Sequence, residues 1–418
     1  MKLLSFALSS LALTSALSVP AKVNYAGFKV YRVTVGNNVA AVKAVLSKLN
    51  LATWTGAPKA NSVVDVVVPP SQLQSFKADA SVLNTEVMHE DLGLSIAEES
   101  QYAVYAAGSA NATWFNSYHA IADHVQFLKD LQSSYPSNSE ILVAGKSNSG
   151  RDIIGIHIWG SGGKGSKKAI VWHGTVHARE WITTMVVEYA AYTLLTKYAT
   201  DTQIKSFVDK YDFYIFPIVN PDGFAYTQTT DRLWRKNRQV NSGNSCVGRD
   251  INRNWPYVWS QADGASTDPC AEDYKGPSAG DGTETKVLKA LIDGLASGLG
   301  VKMYTDFHSY SQLFMYPYGY DCSAVVPNSA TYQSLARGTV SAIKAVHGTS
   351  FTPGPICSTI YQVSGDSVDY ASDVAKAEYS FTVELRDTGR YGFVLPASQI
   401  VPSAQEMWAG IKYLLAHM

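Results

Sequence analysis

One segment constrains the fold more than any other. The apolar run Ala169-Ile-Val-Trp172 is followed, after a short turn, by His177 and Glu180, and then at once by the helical pattern Ile182–Tyr198. Strand, tight turn and helix in that order form the building unit of a layered α/β sheet. The three-residue spacing of His177 and Glu180 also lets one turn of chain aim both side chains at a single ion.

An imidazole nitrogen and a carboxylate oxygen both suit a divalent zinc, and a catalytic zinc site takes three protein ligands and leaves a fourth position to water. The third ligand must come from a distant segment. His308, 131 residues after His177, is the candidate, at the end of the strand-like run Val301–His308. A bare His-x-x-Glu also occurs where the histidines are ordinary surface or core residues, so the rest of the chain has to decide.

With 418 residues, 46% hydrophobic content and a net charge of −1, the chain can bury a large core in more than one folding unit, and its neutral balance leaves no footprint for nucleic acid. Met1-Lys2, the apolar stretch Leu3–Leu17, and Ala16 and Ser18 at the small positions of a cleavage site read as a secretory signal peptide over residues 1–18. Its apolar core is shorter than the roughly 20 residues of a membrane span, so a secreted, extracellular protein without a membrane anchor is expected. Four cysteines suit export. Three pairings are open; Cys246 with Cys270 is favoured because they bracket one loop-like segment rich in Asn, Asp, Gly and Ser, which leaves Cys322 with Cys357. No Cys-x-x-Cys occurs, which argues against a cysteine zinc site. Asn111-Ala-Thr113 is a glycosylation sequon.

From Tyr25 to Glu98 strand and helix patterns alternate: strands over 27–35, 62–68 and 83–89, helices over 39–49 and 71–80. This is a small α+β module. A helix is expected over Leu94–Ala107, then an exposed linker, Gly108–Thr113. From Trp114 on, apolar strands (Asp152–Trp159, Ala169–Trp172, Tyr211–Pro217) alternate with amphipathic helices, the last over Ala404–His417. Gly160-Ser-Gly-Gly-Lys-Gly165 satisfies Gly-x-Gly-x-x-Gly, but a second strand follows it and not a helix, so it is a turn and not a pyrophosphate cradle. No nucleophile elbow occurs, since Gly276-Pro-Ser-Ala-Gly280 follows a polar loop and not an apolar strand, and no His-Glu-x-x-His is present, which weakens serine-hydrolase and zincin readings.

Four further elements strengthen the metal reading. Glu384 lies inside the apolar strand Tyr379–Leu385, and a lone buried carboxylate is expensive unless it has a partner or a task. Beside an activated water it could serve as general base. Arg232, Arg235 and Arg238 form a cluster that could otherwise be a solvated face. Asn252-Arg253 offers a planar fork and an amide, suited to gripping a carboxylate. Tyr361 sits beside a loop containing Gly365.

In order and spacing, His177-x-x-Glu180, Arg235, Asn252-Arg253, His308-Ser-Tyr-Ser-Gln, Ile360-Tyr361 and Glu384-Leu-Arg-Asp-Thr-Gly-Arg-Tyr-Gly-Phe393 resemble the zinc metallocarboxypeptidases of the pancreatic carboxypeptidase A and B type. The resemblance covers nearly the whole chain. The N-terminal module looks like the activation domain of those zymogens, and Cys246 and Cys270 match the family's loop disulfide. It implies an α/β fold with a mixed central sheet and helices on both faces (α/β/α), preceded by a small α+β, ferredoxin-like antiparallel pro-domain. Pro-domain and linker would occupy residues 19–112 and the catalytic domain 113–418.

The resemblance also implies roles. One Zn2+ per chain would sit on His177, Glu180 and His308, with Glu384 as general base and then acid. Arg235 would face the negative charge that develops on the scissile carbonyl oxygen. Asn252 and Arg253 would hold the free C-terminal carboxylate, and Tyr361 would close over it. Arg179, Tyr310 and Phe393 would line further subsites. The expected activity is release of single residues from peptide or protein C-termini by a secreted, monomeric zymogen that needs an activating protease.

Val368 falls where A-type enzymes carry an apolar residue and B-type enzymes an aspartate, so aromatic or aliphatic termini are expected. Asp366 is unusual for the A type. If its carboxylate reaches the pocket, basic termini could also be accepted. Between Lys77 and Lys129 there is neither lysine nor arginine, so trypsin-like proteases have no cutting site in the linker, and activation near residues 109–113 by a protease of broad or apolar preference is expected.

Overall fold

The computed structural model describes residues 21–108 and 110–418; the signal-peptide reading of residues 1–18 lies outside them. The first unit holds strands β1 (Lys29–Thr34), β2 (Ala52–Thr53), β3 (Val63–Val68) and β4 (Asn84–His89) in the order β2-β3-β1-β4, every pair antiparallel. Period-two alternation gives each strand two apolar faces. Val64, Val66 and Val68 pack under the helices Val39–Leu49 and Leu73–Asp79 with Tyr31, Val33 and Phe76. Val67 and Val30 point the other way and join Trp54, Leu233, Tyr310 and Phe393, so this sheet is glued to the larger unit through its second face.

The helix expected over residues 94–107 is instead Leu92–Glu99, started by Asp91, whose side chain accepts from Leu94 N. It stops because the next residues have better partners elsewhere. Tyr102 packs on Trp181, Tyr105 packs edge-on against Trp114, and Asp130 accepts from Tyr105 Oη (2.8 Å) and Gly108 N (2.6 Å). The linker is therefore tied down at its start, and Asn111 caps the short helix Ala112–Asn116 at its end.

The second unit is built on eight strands: β5 (Ser139–Lys146), β6 (Asp152–Ile158), β7 (Ala169–Gly174), β8 (Asp212–Phe216), β9 (Val301–Ser309), β10 (Leu313–Tyr316), β11 (Thr352–Pro355) and β12 (Tyr379–Leu385). Their order is β11-β10-β12-β9-β7-β8-β6-β5. The centre, β12-β9-β7-β8, is parallel, while β5, β6 and β8 pair antiparallel at one edge. Helices cover both faces. Ile170 and Trp172 of β7 point to the helices 121–134, 181–197, 329–347 and 400–417, and Ala169 and Val171 to the helices 283–297 and 367–373. The last helix begins at Ile400, earlier than expected, because Pro402 falls in the first turn, where a missing N–H costs nothing.

The glycine-rich stretch 160–165 is a turn: Asp212 accepts from Gly165 N (2.9 Å) and Lys167 N (2.7 Å), so a side chain already holds these donors. Cys246 pairs with Cys270 and Cys322 with Cys357. Among the described residues no helix is long and apolar enough to cross a membrane.

Candidate metal centre and active site

The parallel strands β7 and β9 run side by side, and the residues at issue sit at their carboxyl ends, where open α/β sheets place ligands. Beyond Gly174 the chain reverses through Thr175 at φ 57°, whose Oγ1 is tied to Thr184 Oγ1 (2.6 Å) and Pro217 O (3.0 Å). That locked turn puts His177 in the connection and Glu180 immediately before the helix Trp181–Lys197. His308 reaches the same point from β9.

His177 Nδ1 lies 2.8 Å from Glu180 Oε1, and His308 Nδ1 lies 3.1 Å from both Glu180 Oε2 and His177 Nδ1. All three residues are buried, and one ligand atom from each falls within 4.8 Å of the others. The far nitrogens are held by carboxylates: His177 Nε2 is 3.1 Å from Asp250 Oδ1 and His308 Nε2 is 3.0 Å from Asp306 Oδ1. Asp250 fixes a proton on Nε2 of His177, and the charge of Asp306 favours the same tautomer of His308, which leaves each Nδ1 lone pair facing the other ligands. Two imidazole lone pairs 3.1 Å apart beside a carboxylate repel unless a cation sits among them, and two nitrogens plus one oxygen with an open fourth side is a zinc donor set. These residues fit that ion.

Charges around the centre are strongly biased. Burial opposes ionisation of Glu180, but His177 and His308 outweigh it and hold its carboxyl well below the usual range. Asp250 is likewise held far down despite its burial, chiefly by Arg235, which donates to Oδ2 from Nη2 (2.7 Å) and Nε (3.1 Å). Glu384 behaves in the opposite way. It stands in β12 opposite His308 in β9, and burial together with the charge of Glu180 pushes its pKa up to about 8. Its Oε2 is buried with no hydrogen-bond partner among the described residues.

Beside this centre lies a small cavity of about 30 Å3 bordered by His177, His308 and Glu384 together with Asn252, Arg253, Tyr361, Asp366 and Val368. Asn252 and Arg253 come from a one-turn helix capped by Asp250; Asn252 Oδ1 accepts from Ser367 N (2.8 Å), and Arg253 Nε is buried without a partner among the described residues. Arg253 lies 5.9 Å from the Tyr361 ring centre. Asp366 caps the helix Ser367–Asp373, accepting from Val368 N and Asp369 N through Oδ1, while its Oδ2 is buried with no hydrogen-bond partner among the described residues.

Arg179, Tyr310 and Phe393 do not border this cavity. They form a neighbouring patch in which the Arg179 guanidinium lies 4.2 Å from the Phe393 ring centre, and the first unit covers it. Trp54 packs edge-on against Phe393 (5.5 Å) and Tyr310 (6.4 Å), and Tyr310 Oη donates a short hydrogen bond to Asp65. At the same junction Glu99 and Arg232 form a fully buried, two-pronged ion pair.

Sequence reasoning missed Asp250, Asp306, Asp65 and Trp54. Asp306 could have been found, since it is an acid in an apolar strand like Glu384 and stands two residues before His308. Asp65 carries the same mark inside the valine run of β3. Asp250 sits in a polar loop and gives no local signal.

The zinc carboxypeptidase profile matches residues 124–410, and the carboxypeptidase activation peptide profile matches residues 31–99. Metallocarboxypeptidase A of Trichophyton rubrum is 54% identical over 412 residues, covering 97% of each chain, and carboxypeptidase A1 of Bos taurus is 37% identical over 407 residues, covering 95% of each. The solved structure of carboxypeptidase A from Helicoverpa armigera matches with a TM-score of 0.81 at 26% identity, covering 94% of this chain and 98% of that one. That of thrombin activatable fibrinolysis inhibitor matches with a TM-score of 0.85 at 27% identity, covering 93% and 98%. The donor set, the unpartnered Glu384 and these matches converge: the chain belongs to the zinc carboxypeptidase family and is a metal-dependent peptide hydrolase with an activation peptide.

Proposed function

We propose that this chain is a secreted zymogen, with a signal peptide over residues 1–18, a pro-domain and linker over 19–112 and a catalytic domain over 113–418, whose mature enzyme removes single aromatic or aliphatic residues from peptide C-termini. The observation that carries the reading is the cavity in which His177, His308 and Glu384 border the same space as Asn252, Arg253 and the buried, apolar Val368. A peptide end placed there meets a carboxylate grip, an apolar floor and a base at once.

When bound, zinc supplies Lewis acidity and makes a nucleophilic water available near neutral pH. Arg253, whose buried Nε–H has no partner among the described residues, and the Asn252 amide bind the terminal carboxylate; this anchors the substrate by its end, so only the last bond lies over the centre. Glu384 Oε2 takes the water's proton and returns it to the leaving amine. Arg235, held by Asp250, faces the oxygen on which charge develops. Tyr361 closes over the terminal residue and excludes water. Arg179, Tyr310 and Phe393 receive the preceding residues once Trp54 and Asp65 have left them.

A second reading, acceptance of basic termini, is favoured by Asp366 at the same cavity, whose Oδ2 is buried with no hydrogen-bond partner among the described residues. Rates on blocked dipeptides ending in Phe, Leu, Lys and Arg, measured on protein freed of its first 112 or so residues, decide between the two. A strong preference for Lys or Arg overturns the apolar assignment, and undiminished activity after zinc chelation overturns the mechanism.

A further inference from the structure

A second cavity, about 390 Å3 and sharing no lining residue with the one at the metal centre, lies between the helix Ile121–Ser134, the hairpin of β5 and β6, and the chain that follows β8. Its size suits a small organic ligand. Val125, Leu128, Ile154 and Ile218 give it apolar walls, yet two buried polar side chains, His124 and Glu188, border it as well. Glu188 Oε1 lies 2.8 Å from His124 Nδ1, and Trp114 Nε1 donates to Oε2 at 2.8 Å. Both carboxylate oxygens are thereby engaged. His124 is 3% exposed, and its Nε2 has no hydrogen-bond partner among the described residues.

Nothing in the peptidase chemistry uses this pair. It holds no nucleophile, since the neighbouring Ser147 hydroxyl is engaged with Asp222 (2.9 Å), and none of these residues touches the zinc ligands. With Nδ1 taken by Glu188, Nε2 is the ring nitrogen His124 has left to offer a ligand in the cavity it borders, and the apolar walls favour a ligand with a polar atom at one end of an apolar body. A hydroxyl group donates and accepts at once, so it meets Nε2 whichever tautomer Glu188 fixes.

We infer that this cavity is a binding site for a small apolar molecule carrying one hydroxyl group, of the phenol or alcohol class, held by a hydrogen bond to His124 Nε2. The test uses 2-naphthol and naphthalene, equal in shape and differing only in the hydroxyl, titrated calorimetrically into the full zinc-loaded chain. The naphthol is expected to bind about tenfold more tightly, the equivalent of one net hydrogen bond. In the double variant His124→Ile with Glu188→Val, an apolar replacement of the pair, that preference is expected to vanish while naphthalene affinity stays. Ala122→Phe, at an exposed position on the cavity's rim, is expected to abolish binding of both without disturbing the core. The inference is overturned if naphthol fails to bind at millimolar concentration, if naphthalene binds equally well, or if either variant leaves the binding and its hydroxyl preference intact.

Discussion

His177 Nε2 and Asp250 Oδ1 lie 3.1 Å apart, and the second oxygen of the same Asp250 carries the Arg235 guanidinium at 2.7 Å. One buried carboxylate thus orients a metal ligand and positions the cation proposed to meet the reacting oxygen. Asp250→Asn keeps the shape and removes the charge. Zinc affinity is expected to fall about 10- to 100-fold, read by competition with a chromogenic chelator. Arg235 is also left buried without its counter-charge, so thermal stability should drop, whereas Asp123→Asn, half-buried in the first turn of the helix Ile121–Ser134 and outside the site, should leave zinc affinity unchanged. Unaltered zinc affinity in Asp250→Asn would show that the carboxylate does not act through His177.

Glu384→Gln separates base catalysis from metal binding. The amide is isosteric, and Glu384 bonds none of the three zinc ligands among the described contacts, so the variant should bind one zinc per chain as before. Its turnover should fall by about 10² to 10⁴, the usual share of a positioned general base. Normal turnover with full zinc would remove Glu384 from the mechanism.

The parts of this site that were legible beforehand share one trait: each carries its anomaly locally. His177 and Glu180 are three residues apart after an apolar run, and Glu384 is a charge inside a strand whose neighbours are apolar. The strands and helices were legible for the same reason, since their periodicity depends only on adjacent residues. Asp250 and the Trp54–Phe393 contact depend on residues brought together from 15 to several hundred positions apart, and no local pattern encodes that. The helix expected to run to Ala107 failed similarly. Its end at Glu99 is set by Trp181, Trp114 and Asp130, none of them near in sequence.

Asp366 should make specificity depend on pH. Burial raises its pKa, and Asp369, buried beside it, is raised further by its own burial and by Asp366. A carboxyl with a raised pKa is neutral at acid pH and becomes charged only as pH rises through the raised value. The floor of the cavity should therefore be neutral at low pH and anionic at higher pH. The ratio of kcat/KM for Phe-ended over Arg-ended substrates is expected to fall as pH increases, and the ratio cancels any titration common to both. Asp366→Asn retains a helix cap and should give a ratio independent of pH. A flat ratio in the parent enzyme would place Asp366 outside the specificity pocket.

Release of the mature enzyme should require cleavage at an apolar residue. Trp54 and Asp65 cover Phe393 and Tyr310, and the buried Glu99–Arg232 pair fastens the end of the same module, so the full chain should be close to inactive on peptides. Residues 101–107 form neither helix nor strand, and Val104 within them is 97% exposed. Trypsin finds no lysine or arginine between Lys77 and Lys129 and can cut only inside the folded module or beyond the linker. Thermolysin or subtilisin treatment is expected to yield a mature N-terminus between residues 104 and 113 together with full activity. Trypsin is expected to yield neither, and N-terminal sequencing of the two digests tells them apart. A tryptic product that begins in this interval, or an uncut chain as active as the cut one, would mean that the first unit does not restrain the site in the way its contacts with Tyr310 and Phe393 imply.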